Sequence, residues 1–504
     1  MRKFPFHPVS PWLHELETAQ PTLAHNITAD VVVIGGGFTG LYTALELRKA
    51  GLSVVVLEKD FSGAGGSGRN SGYCDGIIGK DLPSLLKLYK IERARELCDF
   101  AMVAVRKLEA FIADHQIECE YEAKGNIMAA VHPKQVKKLE KVSQATKALG
   151  LEYTFLDREA MRERGIPAPF IAGVFDAVGG ILNPGLLIRA IRKMAIEKGV
   201  QLFENTKVLE LTDSAPVQAH CEGGTVTAQS AVIATNVYAN ELGWKKRLIT
   251  PICAAMCETE PLTPEQLSVL GGWHGREGIY TAHEQLENYR LTARNTIITG
   301  GKHVNIPYGF KVPDKELYLP QLFTKIESIF RERFPAIPEI KVQTFWAGWI
   351  GMTLDFMPAI GATGKHRNVH YGLGFSGHGI PQTLLVAELI ADQVLGKKHP
   401  LAKVLQRKVI AAPPEPIKWI GSNALSAVIS AIDAVTDRQV RQLKRFWTCR
   451  EEVTSGAKGL VHRFSRLSTK ASPDLRRLIL WDIKRLSHSR NSLVNHQKLV
   501  PQAQ

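Results

Sequence analysis

Short runs of consecutive apolar residues alternate along this chain with segments whose apolar positions recur every three or four residues. Residues 30–34 (DVVVI) and 53–57 (SVVVL) are of the first kind; residues 38–50 (FTGLYTALELRKA), closed by Gly51, are of the second. Continuous apolar runs suit strands covered on both faces and the wider spacing suits a helix with one buried side, so two parallel strands joined by a helix are predicted. The same patterns predict helices within 82–117, 133–149, 186–199, 314–333 and 380–396. They predict strands at 125–131 (GNIMAAV), 201–211 (QLFENTKVLEL), 230–236 (SAVIATN) and at the start of VHYGLGFSGHG (369–379). Residues 241–344 read as antiparallel sheet, as in NYRLTARNTIITGG (288–301), with one helix.

These elements give an α/β fold class: a Rossmann-like nucleotide-binding domain split over 30–85, 170–240 and 345–412, and a second domain of mixed antiparallel sheet and helices over 86–169 and 241–344. An irregular Pro-rich arm (1–29) precedes them, and a basic helical tail (413–504) follows the break APPEP at 412–416. With 504 residues the chain has room for two interleaved domains, and no internal repeat is visible.

Of the formal charge of +14, residues 413–504 supply +9, with 16 Lys or Arg against 7 Asp or Glu. Because the excess sits in an appendage, nucleic acid is not the expected partner. The tail combines an apolar set (Ile417, Trp419, Ile420, Leu425, Val428, Ile429, Ile432, Val435) with Arg438, Arg441, Lys444 and Arg445. The first expectation is that this apolar face packs on the body; the alternative is a basic amphipathic helix in peripheral contact with an anionic membrane. No run of 18 uncharged apolar residues occurs, and prolines interrupt the opening MRKFPFHPVSP, so the expected location is cytoplasmic, with the tail offering a route to the inner face of the membrane. Seven cysteines without a regular framework suggest reduced thiols; Cys253 and Cys257 lack a second pair of ligands, so no metal is expected.

Chemistry enters at Gly35, Gly37 and Gly40, a G-x-G-x-x-G between the first strand and its helix, with Glu58 at the end of the second strand. The first glycine permits a tight turn, the second lets backbone approach a pyrophosphate, the third allows close helix packing, and an acidic residue can accept from ribose hydroxyls. Glu58 argues against a 2′-phosphate and hence against NADP. FAD and NAD are not separated by this unit.

Further motifs follow in order: GAGGSGRNSG (63–72), GGILNPG (179–185), AVIATN (231–236) and GFSGHG (374–379). Together with the first unit they resemble the D-amino-acid oxidase-like family of FAD-dependent amine oxidoreductases, over roughly residues 28–400. The SGRNSG and WAGWIGMTLDFMPAIG patterns are most similar to the gamma-glutamylputrescine oxidase type. The resemblance implies FAD held by Gly35, Gly37, Phe38, Thr39 and Gly40 in the first turn, and by Glu58 and Lys59 after the second strand. It also implies Ser67, Arg69, Asn70, Ser71 and Gly72 in the glycine-rich loop, the backbone of Val208, and Ala234, Thr235 and Asn236. Gly348 and the final turn, Gly374, Ser376, Gly377, His378 and Gly379, complete the set. Arg69 and His378 are the candidates for catalysis. Sarcosine-oxidase relatives carry a flavin-linked Cys and a Lys where this chain has Gly351-Met352-Thr353 and Ile380-Pro381, so the FAD is expected to be noncovalent and an amine to suit the site better than a simple amino acid.

The activity thus implied is oxidation of a C–N bond in an amine or amino-acid-like substrate by hydride transfer to flavin, then imine hydrolysis, with oxygen or a quinone as electron acceptor. A non-catalytic flavoprotein or partner-binding module is the alternative; an NAD-dependent dehydrogenase is the weaker one. No G-x-S-x-G, H-E-x-x-H, Walker loop or C-x-x-C supports other chemistry.

Overall fold

The computed structural model describes residues 3–13, 18–312 and 317–454, with backbone alone for 443–454. The predicted tail beyond 454, the side chains of Lys444 and Arg445, and the first residues of the helix expected at 314 lie outside the described residues. Among described residues, those up to Asp433 form one compact unit and those from Ala434 onward a second.

Strand β1 (Ile27–Ile34), helix α1 (Phe38–Lys49) and strand β2 (Val54–Leu57) form the predicted unit. The strands are parallel, with Val31 opposite Val54 and Ile34 opposite Leu57. Their valines are buried on both faces, which is why the runs lack alternation. The main path of this sheet runs Ala359–Thr363, Val369–Leu373, Gly224–Ile233, β1, β2, Gln201–Phe203, parallel except for its first strand, and Val217–Cys221 and Glu210–Leu211 add an antiparallel branch on Gly224–Ile233. Strands Ile34, Leu57, Ile233 and Leu373 therefore end at one edge, where an open α/β sheet receives its ligand.

A second sheet of eight strands runs Val342–Met352, Thr250–Thr259, Ile297–Asn305, Glu287–Leu291, Gly278–Thr281, Asn126–Ala130, Ala172–Asp176, Tyr153–Leu156. It is antiparallel apart from the pair Gly278–Thr281 and Asn126–Ala130. The two-stranded ribbon of Tyr73–Cys74 and Gly180–Ile181 lies off both large sheets.

Three expected boundaries are corrected. Ala172–Asp176 and residues 345–352 of Val342–Met352, assigned from the pattern to the nucleotide-binding domain, are in strands of the second sheet. Helix Ile91–Asp114, assigned to the second domain, shares one hydrophobic core with α1, Pro184–Glu197 and Gly379–Val394. Burial alone made all three readable as elements; which sheet or layer buried them was a long-range choice. Val208, expected on a strand, lies in the loop between Gln201–Phe203 and Glu210–Leu211.

Of the arm expected over 1–29, the described residues hold a 3-10 turn at Pro11–Leu13 and, from Ile27, the start of β1, and the arm is bound. Phe345 N–H donates to Pro5 O (2.7 Å) and His7 N–H to Phe345 O (2.8 Å), so the arm extends the second sheet at Val342–Met352. Trp12 and Leu13 are buried.

The tail forms helix Ile417–Thr454. Within the first unit it docks through its polar side: Lys418 Nζ donates to Pro307 O (2.9 Å) and Gly309 O (2.7 Å), and Asp433 accepts from the amides of Glu284 (3.0 Å) and Gln285 (2.9 Å). Ile417, Ile420, Leu425, Val428 and Ile432 are all more than 50% exposed. The expectation that this apolar face packs on the body is not met.

Candidate functional site

The loops at the carboxyl edge of the first sheet and the inner face of the second enclose a cavity of about 600 Å³. Each predicted cofactor residue lines it or adjoins it, and most have a defined structural reason for their identity.

Gly35 takes φ +109°, and a Cβ there would lie 2.9 Å from Ala234 O, so both conformation and space demand glycine. At Gly40 a Cβ would fall 1.9 Å from Gly35 O; the helix can lie this close to the turn only without a side chain. At Gly37 a Cβ would meet Ser67 Oγ at 2.9 Å, and that hydroxyl accepts from Phe38 N–H (3.0 Å). The start of α1 thus faces the glycine-rich loop, and Gly37, Phe38 and Thr39 line the cavity at a helix N-terminus, a place that suits a phosphate. Glu58 accepts from Gly36 N–H (2.7 Å) and Asp60 N–H (3.0 Å); burial raises its pKa above the ordinary carboxylate value despite these bonds. Lys59 sits 4.0 Å over the Tyr238 ring. Val208, Ala234 and Thr235 line the cavity, and the buried Thr235 hydroxyl has no partner among the described residues.

The 63–72 loop is held from three sides. Asn70 stitches it internally, donating to Gly66 O (3.0 Å) and Ser67 O (2.8 Å) and accepting from Gly72 N–H (2.8 Å). Arg69 Nε donates to Ala64 O (2.7 Å); its Nη1 donates to Pro8 O (2.8 Å), Val9 O (3.3 Å) and Ala347 O (3.1 Å). The guanidinium expected to meet substrate is thus largely engaged by backbone, with Nη2 alone lacking a partner among the described residues, and burial lowers its pKa. Gly348 lies against the Arg69 Cβ. From the other side the buried Arg290 donates to Ser71 O (3.0 Å), and burial lowers its pKa to about 10. Trp12 Nε1 donates to Asn70 O (2.9 Å).

In the final turn Gly374, Ser376 and Gly377 have φ of +75°, +52° and +95°, folding the chain back immediately before helix Gly379–Val394. Asn236 Oδ1 accepts from Gly374 N–H (2.9 Å), tying this turn to the end of Gly224–Ile233. His378 precedes the helix, with Nδ1 3.3 Å from Asp75 Oδ1. Burial alone would lower its pKa, but the charge and hydrogen bond of Asp75 outweigh that and raise it.

Sequence reasoning missed Asp75, Arg290 and the arm. Asp75 stood three residues beyond Gly72 and carried no motif of its own. Arg290 occupies a strand position where alternation cannot tell a buried cation from a solvated one.

The cradle fits FAD on the chain's own features: three glycines that a side chain would fill, a helix N-terminus lining the cavity, an acidic residue at the second strand, and an orphaned buried hydroxyl. The family model described as FAD dependent oxidoreductase matches residues 30–393. Gamma-glutamylputrescine oxidoreductase of Escherichia coli (strain K12) is 31% identical over 381 residues, covering 74% of this chain and 85% of that protein. Probable oxidoreductase OrdL of Haemophilus influenzae is 27% identical over 395 residues, covering 76% and 86%. Among solved structures, glycine oxidase from Geobacillus kaustophilus superposes with a TM-score of 0.65 at 19% identity, covering 76% of this chain and all of that one.

Proposed function

The chain belongs to the FAD dependent oxidoreductase family, and from that premise we propose that it oxidises a C–N bond of an amine lacking an α-carboxylate. Bound in the cradle, FAD supplies the two-electron acceptor. Gly35, Gly37, Gly40 and the start of α1 would hold its pyrophosphate, Glu58 its ribose, and the 63–72 loop and final turn its ring system. Loss of two electrons and two protons converts CH–NH of the substrate to C=N, and water then releases a carbonyl compound and an amine.

The observation that carries the substrate class is the state of the charges lining the cavity. Lys302 is buried against Glu287 (2.5 Å), Arg69 is engaged by carbonyls, Lys59 sits on Tyr238 and Lys207 lies 3.9 Å from Glu241. Among the described lining residues, each arginine and lysine therefore has a protein partner. With each of these cations compensated, the wall offers no free positive charge to hold an α-carboxylate, which favours an amine over an α-amino acid. The relative named for gamma-glutamylputrescine has, by that name, an amine at the putrescine end of its substrate, remote from the glutamyl carboxylate, which agrees with oxidation at a carbon that bears no carboxylate. Anaerobic mixing of the yellow holoenzyme with a panel of amines and α-amino acids tests it. Bleaching by amines alone is expected; bleaching by α-amino acids alone would overturn it. Acid precipitation of the same sample should leave the flavin in the supernatant, as noncovalent binding requires.

The electron acceptor is oxygen or a quinone, and one observation supports the second. Among the described residues no helix is long and apolar enough to cross a membrane. The exposed face of Ile417, Ile420, Leu425, Val428 and Ile432 nevertheless turns away from the polar contacts made by Lys418 and Asp433. Residues 434–504 add 15 Lys or Arg against 5 Asp or Glu in sequence. An apolar stripe followed by a basic segment matches an interfacial anchor on anionic lipid, at the cytoplasmic face where a quinone pool is within reach.

A further inference from the structure

We propose that Asp75 is a positioning residue for His378, fixing the imidazole with Nδ1–H toward its own carboxylate so that Nε2 is the ring nitrogen left for the reaction. The proposal rests on the amine-oxidation reading above for its role in turnover, though not for its geometry.

Asp75 leaves strand Tyr73–Cys74 and bends back on itself, its Oδ1 accepting from Ile77 N–H (3.3 Å). The same oxygen is 3.3 Å from His378 Nδ1. A second tie runs parallel to the first: Gln382, in the first turn of helix Gly379–Val394, donates from Nε2 to Ile77 O (2.8 Å). The loop and the helix start are thus joined at two points, and the carboxylate is held in place rather than free to follow solvent. Both side chains are mostly buried, at 11% and 18% exposed, and both line the cavity. Nε2 of His378 has no partner among the described residues. A carboxylate accepts but cannot donate, so Nδ1 must carry the proton and Nε2 the lone pair of the neutral ring.

A lone histidine at this position would be a poor cation. The helix N-terminus behind it disfavours positive charge, and so does burial. Asp75 reverses both. The elements packed against the helix also carry Tyr73, Glu46, Lys107, Glu109 and His370, and Tyr280 lines the same cavity. Burial and the charge of Asp75 push the Tyr73 and Tyr280 hydroxyls up, so they stay protonated. Lys107 pairs with Glu388 at 2.8 Å and Glu109 accepts from Tyr121 OH at 2.6 Å. Asp75 is the charge that acts on the ring.

The test uses holoenzyme with isotope-labelled histidine, followed by NMR across pH 5–9, with the His378 signals assigned by their loss in H378Q. In the unmutated protein the neutral ring should show protonated Nδ1 and bare Nε2, with a midpoint above 6.5; the opposite tautomer would overturn the proposal without any Asp75 variant being made. D75N should lower the midpoint by about 1 pH unit, a tenfold loss of proton affinity, and D75E should largely restore it. The pH profile of kcat/KM for a reactive amine should move with D75N and lose that limb in H378Q. An unmoved midpoint in D75N refutes the link, and a moved midpoint with an unmoved rate profile refutes its part in the reaction. If no amine reduces the flavin while the tautomer and midpoint behave as stated, the amine reading fails and the Asp75–His378 link stands.

Discussion

Arg69→Ala separates two roles that the sequence alone could not distinguish. In the structure the guanidinium joins three stretches of chain: the arm at Pro8 and Val9, the glycine-rich loop at Ala64, and the second sheet at Ala347. Truncation removes three hydrogen bonds of 2.7–3.1 Å and a longer one of 3.3 Å, and leaves carbonyls that water reaches only in part. At about 1 kcal/mol net for each good bond, the loss is about 3 kcal/mol. An unfolding entropy of about 2.1 cal/mol/K per residue, over the roughly 430 residues of the first unit, converts this to a fall of about 3 °C in Tm. The local consequence is larger, because the arm loses its anchor on the loop. Limited proteolysis should cut the arm of the variant faster than that of the parent, and the variant should lose FAD on dilution. Arg69→Lys should recover little, since one ammonium cannot span the same carbonyls. Unchanged Tm, arm cleavage and FAD retention together with altered turnover would refute this reasoning and make Arg69 a substrate contact through Nη2.

Gly37→Val should fold yet bind FAD poorly, since its Cβ starts 2.9 Å from Ser67 Oγ; absorbance at the flavin band per protein checks this, and full occupancy would count against the cradle. The Glu287 carboxylate, held by Arg333 and Lys302, is buried; burial opposes its charge, but these partners bring its pKa from 4.5 down to about 2. A depressed folded pKa means that its stabilisation is present above 4.5 and is lost as pH falls toward 2. Glu287→Gln should therefore cost about 3–5 kcal/mol near neutrality, with the gap to the parent narrowing over that acid window in thermal melts. Cutting the chain before Pro413 should abolish binding to anionic vesicles and raise KM, because Asp433 holds the amides of Glu284 and Gln285 at the cavity rim; retained vesicle binding would exclude the tail as anchor.

The nucleotide cradle was legible from sequence because its determinants are local. Gly35, Gly37 and Gly40 act within six residues of one another, and the strands beside them are buried on both faces, so pattern and spacing coincide with structure. The apolar stripe of the tail was equally legible as a period, yet its direction was not: a sequence records which residues share a face, and the polar bonds of Lys418 and Asp433 decided that the other face meets the body. The same limit applies to Ala172–Asp176 and Val342–Met352, whose sheet was settled by partners far away in the chain. Asp75 and His378 are 303 residues apart, as are Arg69 and Ala347 by 278. Their chemistry comes from distances near 3 Å, and only folding sets those. What the chain fixed by itself was every feature whose energy depends on neighbours in sequence; charges and hydrogen bonds between remote segments depend on burial and approach, and the tertiary structure alone supplied them.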